Sequence, residues 1–203
     1  MRRGLLIALE GVDGSGKTTQ AEMLAASLEK DGHQVVLTRE PTNGPTGQKL
    51  LAYLAGPSRH MSPAEELQLF MEDRREHVDQ VIKPALKQGK VVITDRYYYS
   101  SVAYQGSLGL DPNDILAANE AFAPRPDLVF LLDLPVTEAL ARLAKKGKAA
   151  RQVNESFSYL RQVAASYGSF KGPRFCRLDA SQPPMAVHAM ILAEVRRVLP
   201  EAA

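Results

Sequence analysis

Four short apolar runs punctuate the chain: LLIALE (5–10), QVVLTRE (34–40), VVITD (91–95) and DLVFLLD (127–133), with a weaker fifth, RFCRLD (174–179). Each is bounded by Gly, Pro, Asp or Asn, and helix-period sequence separates each from the next. Continuous apolar strands alternating with helices predict a parallel sheet covered on both faces. Helical spacing runs over 17–31, 62–88, 135–146, 153–168 and 184–199, with stop signals at Asp31-Gly32 and Gln88-Gly89. The expectation is an α/β fold: a doubly wound, five-stranded parallel sheet with helices on both faces, in a single domain spanning 1–203. Two stretches read as mobile excursions. One is TNGPTGQ (42–48); the other is RLAKKGKAAR (142–151), with five basic residues and no acidic one.

Composition narrows the class without naming a chemistry. A chain of 203 residues with 45% apolar and 24% charged residues is ordinary for a soluble globular protein. A net charge of +2 is too mild to argue for nucleic acid or a membrane surface. The opening MRRGLLIALEGVDG pairs two arginines with an apolar run, but Glu10 interrupts that run before any cleavage site, so a signal peptide is not expected. No apolar stretch approaches the length of a membrane span. The single cysteine, Cys176, cannot form an internal disulfide and has no activating neighbours, so it reads as packing in a reducing, cytoplasmic setting.

Chemistry enters at GVDGSGKT, Gly11 to Thr18, which satisfies G-x-x-x-x-G-K-[ST] between a strand and a helix. Gly11, Gly14 and Gly16 let the backbone curl, so that N–H groups through Val12, Asp13 and Ser15 face phosphate oxygens, and the helix opened by Thr19 adds its positive end. In this pattern Lys17 reaches the β- and γ-phosphates of ATP, and the Thr18 hydroxyl ligates Mg²⁺. Ligands of a doubly wound sheet bind at the carboxyl ends of the strands. Asp95 ends the third apolar run, so it can reach a Mg²⁺ beside Thr18, and Arg96 then lies near the transferring phosphates.

Two more charged positions break the pattern. Along ELQLFMEDRREHVDQVIKPAL (66–86), the apolar stripe passes from Phe70 through Arg74 to Val78, placing a guanidinium on the inward face. Its stem can snorkel outward, or the ring and the planar donor fork can receive a nucleobase; periodicity leaves both open. Arg39 and Glu40 close the second strand in TREP, another charged pair at a strand's carboxyl end.

Taken together, LEGVDGSGKTTQ, TREP, the LF-x-x-x-R of Phe70 and Arg74, DRY-x-x-S-x-x-AYQG at 95–106, RPDLVFLLD and ESF at 155–157 resemble the thymidylate kinases, in the family's order and over nearly the whole chain. The resemblance implies transfer of the γ-phosphoryl group of Mg-ATP to dTMP by a homodimer. It further implies that Phe70 stacks on thymine, Arg74 meets a base carbonyl and Asp13 contacts the sugar hydroxyl. Arg39 and Arg96 would hold the acceptor phosphate, with Ser101, Tyr104 and Gln105 completing the pocket. Arg142 would pack on adenine, with Asp179-Ala180-Ser181 closing its other side. A monophosphate-binding excursion is expected at about 41–80 and a basic lid at about 142–155, where Arg151 would be the catalytic arginine beside Lys17 and Arg96. The chain departs from the family in having Thr42-Asn43-Gly44 after TREP and Leu51 where an arginine is common, with Lys49 as a substitute, and in placing Ala150 before the lid arginine. The competing expectations are a kinase for dUMP, dCMP or a purine monophosphate, and a P-loop ATPase switch without an acceptor.

Overall fold

The computed structural model describes residues 3–56, 60–145 and 157–199. Five strands form one all-parallel sheet: β1 (Leu6–Glu10), β2 (Val35–Arg39), β3 (Val91–Asp95), β4 (Leu128–Asp133) and β5 (Phe175–Asp179), in the order β2-β3-β1-β4-β5. Every residue of β1, the first four of β3 and the first five of β4 are buried, so neither face of the central sheet meets water. This is why those strands read as unbroken apolar runs rather than alternating ones. The edge strand β2 is only half-buried and leaves Leu37 44% exposed.

Helix α1 (Lys17–Lys30) follows the cradle and packs on α9 (Pro184–Val198) and on β2 and β3. The predicted helix 62–88 is present as α3 (Pro63–His77), a π-helical turn (Val78–Ile82) and α4 (Lys83–Lys87). Its start is fixed by a capping box, in which Ser62 and Glu65 satisfy each other's backbone N–H groups. Helices α7 (Val136–Lys145) and α8 (Phe157–Ser169) also fall where the periodicity puts them. Three helices went unread in the sequence: α2 (Pro45–Ala55), α5 (Tyr98–Gly106) and α6 (Pro112–Glu120).

The 42–48 stretch is thus a correction. Pro45 starts α2, and Thr42 is tied down, its N–H reaching Asp73 at 3.0 Å and its hydroxyl bonded to the same carboxylate. Arg151 and most of the basic lid expected at 142–155 lie outside the described residues. Topologically, β1 is the switch point, with β3 on one side and β4 on the other, so the loop leaving β1 opens into a cleft between chain halves.

Candidate functional site

The loop leaving β1 has the backbone that its glycines allow. Gly14 (φ 85) lies so close to α7 that a Cβ would meet the Ala139 carbonyl at 2.7 Å, and Gly16 (φ 99) caps α1 in a left-handed conformation. Lys17 is buried, and its Nζ donates to the carbonyls of Gly11 (3.1 Å) and Val12 (3.0 Å) across the loop. Burial lowers its pKa to about 8; Arg96 pushes the same way, whereas Asp13 and Asp95 oppose it.

A cleft of about 350 Å³ opens over this loop, lined among others by Asp13, Lys17, Thr18, Arg39, Asp95 and Arg96. The Thr18 hydroxyl donates to Asp95 Oδ2, while Asp95 Oδ1 is buried with no hydrogen-bond partner among the described residues. An open carboxylate oxygen beside a hydroxyl is a hard-donor pair that fits Mg²⁺. Among the described residues no group of three His, Cys, Asp or Glu side chains could enclose a metal. A cation there would complete its shell from phosphate and water, as Mg²⁺ commonly does.

Arg96 follows β3 in a left-handed conformation (φ 73). Its guanidinium pairs with Asp13, donates to Ser100 Oγ at 2.9 Å, and lies 5.2 Å from the centre of the Tyr104 ring. Burial disfavours its charge, but Asp13, Tyr104, Tyr167 and Asp95 outweigh that and hold the pKa well above the usual arginine value. Arg39, by contrast, reaches Asn43 only at a long 3.5 Å and stands exposed at the mouth of the cleft.

Beyond Arg96 the cleft narrows into a second cavity of about 100 Å³, sharing Asp13, Pro41 and Arg96 with the first and bounded by Phe70, Leu54, Ser101, Tyr104 and Gln105. Gln105 Nε2 donates to Glu66 Oε1 at 2.8 Å. With the Nε2 amide engaged there, Gln105 Oε1 is a buried acceptor with no partner among the described residues. Arg74 does face inward, as its position in the stripe predicts: it is 1% exposed. It stands behind the cavity wall rather than on it, its Nε on Glu40 at 2.8 Å, Nη1 on Asn119 at 2.6 Å and Nη2 on Ser101 Oγ at 3.2 Å. Burial pushes Glu40 up, yet Arg74 and His77 prevail and hold its carboxyl below the ordinary range.

On the other side of the loop a third cavity, about 410 Å³, is lined by Gly14, Ser15, Gly16, Thr19, Arg142 and Ala180, among others. Arg142 is fixed there by Glu138 at 2.7 Å and the Ala180 carbonyl at 3.0 Å. Ser181 turns back on Asp179, its N–H donating at 2.9 Å. Most of the described residues singled out from the sequence line one of three adjoining cavities, and Arg74 stands directly behind a wall. Lys49 does not: it is exposed and lines none of them, whereas Leu51 faces the central cleft. The sequence reading missed Leu54, Glu66, Asn119 and Tyr167, which carry no motif of their own, and gave no role to Pro41 of TREP or to Ser100, the serine of DRY-x-x-S-x-x-AYQG. It also passed over Glu10, although a carboxylate ending an apolar strand is the same signal that picked out Asp95.

A glycine-rich loop, an open carboxylate oxygen beside a hydroxyl and an adjoining cavity walled by Phe70 and Tyr104 form the frame in which known proteins can be compared. The thymidylate kinase family model matches residues 9–191. The chain belongs to the thymidylate kinase family. It is 46% identical over 194 residues to the thymidylate kinase of Xanthomonas campestris pv. campestris (strain B100), covering 94% of this chain and 84% of that one. To the thymidylate kinase of Desulfotalea psychrophila it is 41% identical over 196 residues, covering 97% and 96%. As a thymidylate kinase family member it is an ATP:dTMP phosphotransferase.

Proposed function

We propose that the three cavities divide the reaction between them: adenine against Arg142, the transferring phosphates over Gly11 to Thr18, and the thymine of dTMP against Phe70. The observation that carries this reading is Arg96, the cation that, among the described residues, borders both the phosphate cleft and the Phe70 cavity. Phosphoryl transfer spreads negative charge over the equatorial oxygens, so catalysis is mostly positioning and charge stabilisation. Arg96 and Arg39 hold the dTMP phosphate in line. Lys17 releases the loop carbonyls and neutralises the β- and γ-phosphates. Asp13, held by Arg96, faces the sugar.

Mg²⁺ supplies charge neutralisation between the donor phosphates, and Thr18 and Asp95 would hold it. In the base cavity, the open Gln105 Oε1 suits the ring N–H of thymine. Arg74 acts through the wall, holding Ser101 and Glu40, with a base carbonyl as the partner assigned by resemblance. Closure over the donor side falls to the lid at 142–155, with Arg151 as its cation, and the acceptor side to the excursion at 41–80.

A homodimer and a cytoplasmic setting belong to the same proposal. The dimer is what the family resemblance implies, and edge strand β2, with Leu37 44% exposed, is an unpaired edge that a second copy would cover. The setting is supported by the single free thiol at Cys176 and, among the described residues, by the absence of any helix long and apolar enough to cross a membrane. The test is Arg96→Ala under saturating Mg-ATP and dTMP. Turnover should fall by about a thousandfold with the melting temperature nearly unchanged, and wild-type turnover would overturn the assignment.

A further inference from the structure

Glu10 ends β1, is closed to solvent, and belongs to none of the binding sets above. A buried carboxylate is tolerated only when its lone pairs are used. Here Oε1 accepts from the backbone N–H of Tyr97 (2.8 Å) and of Ser100 (3.2 Å), while Oε2 accepts from the Ser100 hydroxyl (2.6 Å) and the Tyr167 hydroxyl (3.1 Å). Three separate elements therefore meet at one side chain: β1, the turn into α5, and α8. Tyr97, the residue just before α5, contributes no side-chain cap of its own, and Glu10 supplies one from β1.

Ser100 connects this group to the transfer site. Its hydroxyl carries one proton, which goes to the carboxylate oxygen at 2.6 Å, so its lone pairs remain to accept from Arg96 Nη1 at 2.9 Å. The Arg96 backbone is held from the same side. Its own N–H donates to Leu9 at 3.0 Å, and the next N–H, of Tyr97, donates to Glu10. Arg96 is the non-glycine residue with a positive φ among those described, a conformation that persists only where neighbours over-determine it.

We infer that Glu10 is a positioning residue for Arg96, acting through Ser100, with Tyr167 of α8 as its third anchor. The inference rests on the role proposed above for Arg96 in phosphoryl transfer. Burial raises the Glu10 carboxyl above its ordinary range, and the Ser100 bond and the Arg96 charge oppose that only in part. If Glu10 only capped α5, losing its link to Arg96 would cost stability alone; as a positioning residue, it acts on turnover through one partner.

Double-mutant cycles of Glu10→Gln and of Ser100→Ala, each against Arg96→Lys, separate these readings, with kcat for dTMP, KM for ATP and melting temperature measured for each variant. Glu10→Gln and Ser100→Ala alone should each lower kcat about tenfold by loosening the guanidinium, with KM for ATP nearly unchanged and some loss of melting temperature from the bond removed at buried Glu10. In the Arg96→Lys background either substitution should change kcat by less than about twofold, because its effect travels through Arg96. Ser100→Thr, which keeps the hydroxyl, should retain most of the activity. Equal losses in both backgrounds, or lost stability with unaltered kcat, would overturn the inference while leaving the role of Arg96 intact. Wild-type turnover by Arg96→Lys alone would instead overturn that role, and this inference with it.

Discussion

Arg74 Nε donates to Glu40 Oε2 at 2.8 Å, and both side chains are closed to solvent, 1% and 3% exposed. This ion pair joins α3, which carries Phe70, to the TREP segment, which carries Arg39 and Pro41. The acceptor cavity therefore has a charged tie directly behind its wall. Removing one partner of a buried pair leaves the other uncompensated, which costs about 3–5 kcal/mol. Glu40→Gln should accordingly lower stability by about that amount, read from the urea midpoint, and raise KM for dTMP more than that for ATP.

The same pair fixes an acid dependence. Because the folded-state pKa of Glu40 is depressed, its contribution is fully present above the unfolded value of 4.5 and disappears as pH falls below 4.5 towards the folded value. Glu10 and Asp73, which burial raises, work in the opposite direction and cost stability once pH exceeds their unfolded values. Urea midpoints of Glu40→Gln measured between pH 3 and 7 should therefore show a weaker loss on acidification than those of the unaltered chain.

Lys17 sets a pH limit on the donor side. Its pKa in the free protein is about 8, and phosphate binding favours its charged form. Affinity for ATP should be steady below pH 8 and decline by about tenfold per unit above it, with proton uptake on binding in that range. Calorimetry in two buffers of different ionisation enthalpy, at pH 7 and at pH 9, checks both effects.

Phe70 is half-buried and faces the base cavity, not the main core. Phe70→Ala should raise KM for dTMP by about fivefold to a hundredfold, since stacking on a base is worth about 1–3 kcal/mol, and leave KM for ATP nearly unchanged. Equal effects on both constants would show that the ring serves packing.

Leu51 faces the phosphate cleft beside Arg39 and Arg96, where the family commonly has an arginine, and the exposed Lys49 is no substitute. Leu51→Arg places a further cation against the acceptor phosphate. KM for dTMP should fall severalfold, roughly 1 kcal/mol of added binding, and the gain should shrink at high salt.

Strands and long helices were legible because burial imposes their pattern: β1, β3 and β4 are covered on both faces and run almost wholly apolar up to the carboxylate that ends each. Helices α2, α5 and α6 escaped for identifiable reasons. Helix α5 is nine residues of YYSSVAYQG, whose polar groups turn inward to Glu10, Arg96 and Arg74, so no apolar stripe marks it. Helix α2 begins in TNGPTG, which reads as a loop until Thr42 and Thr46 find Asp73 and Glu76 on α3. The cradle, Asp95, Arg96 and the inward Arg74 could be found because each breaks or completes a local pattern. The partners of Arg74 could not, since Glu40, Asn119 and Ser101 are far apart in sequence and only the fold brings them together.

Acceptor selectivity tests the account most directly. ADP formation from Mg-ATP should be measured with dTMP, dUMP, dCMP or AMP as acceptor, against a blank without acceptor. Strong turnover with dTMP, weak turnover with dUMP and almost none in the blank is the expected result. Hydrolysis independent of acceptor, or preference for another monophosphate, would contradict the thymine site built on Phe70, Gln105 and Arg96.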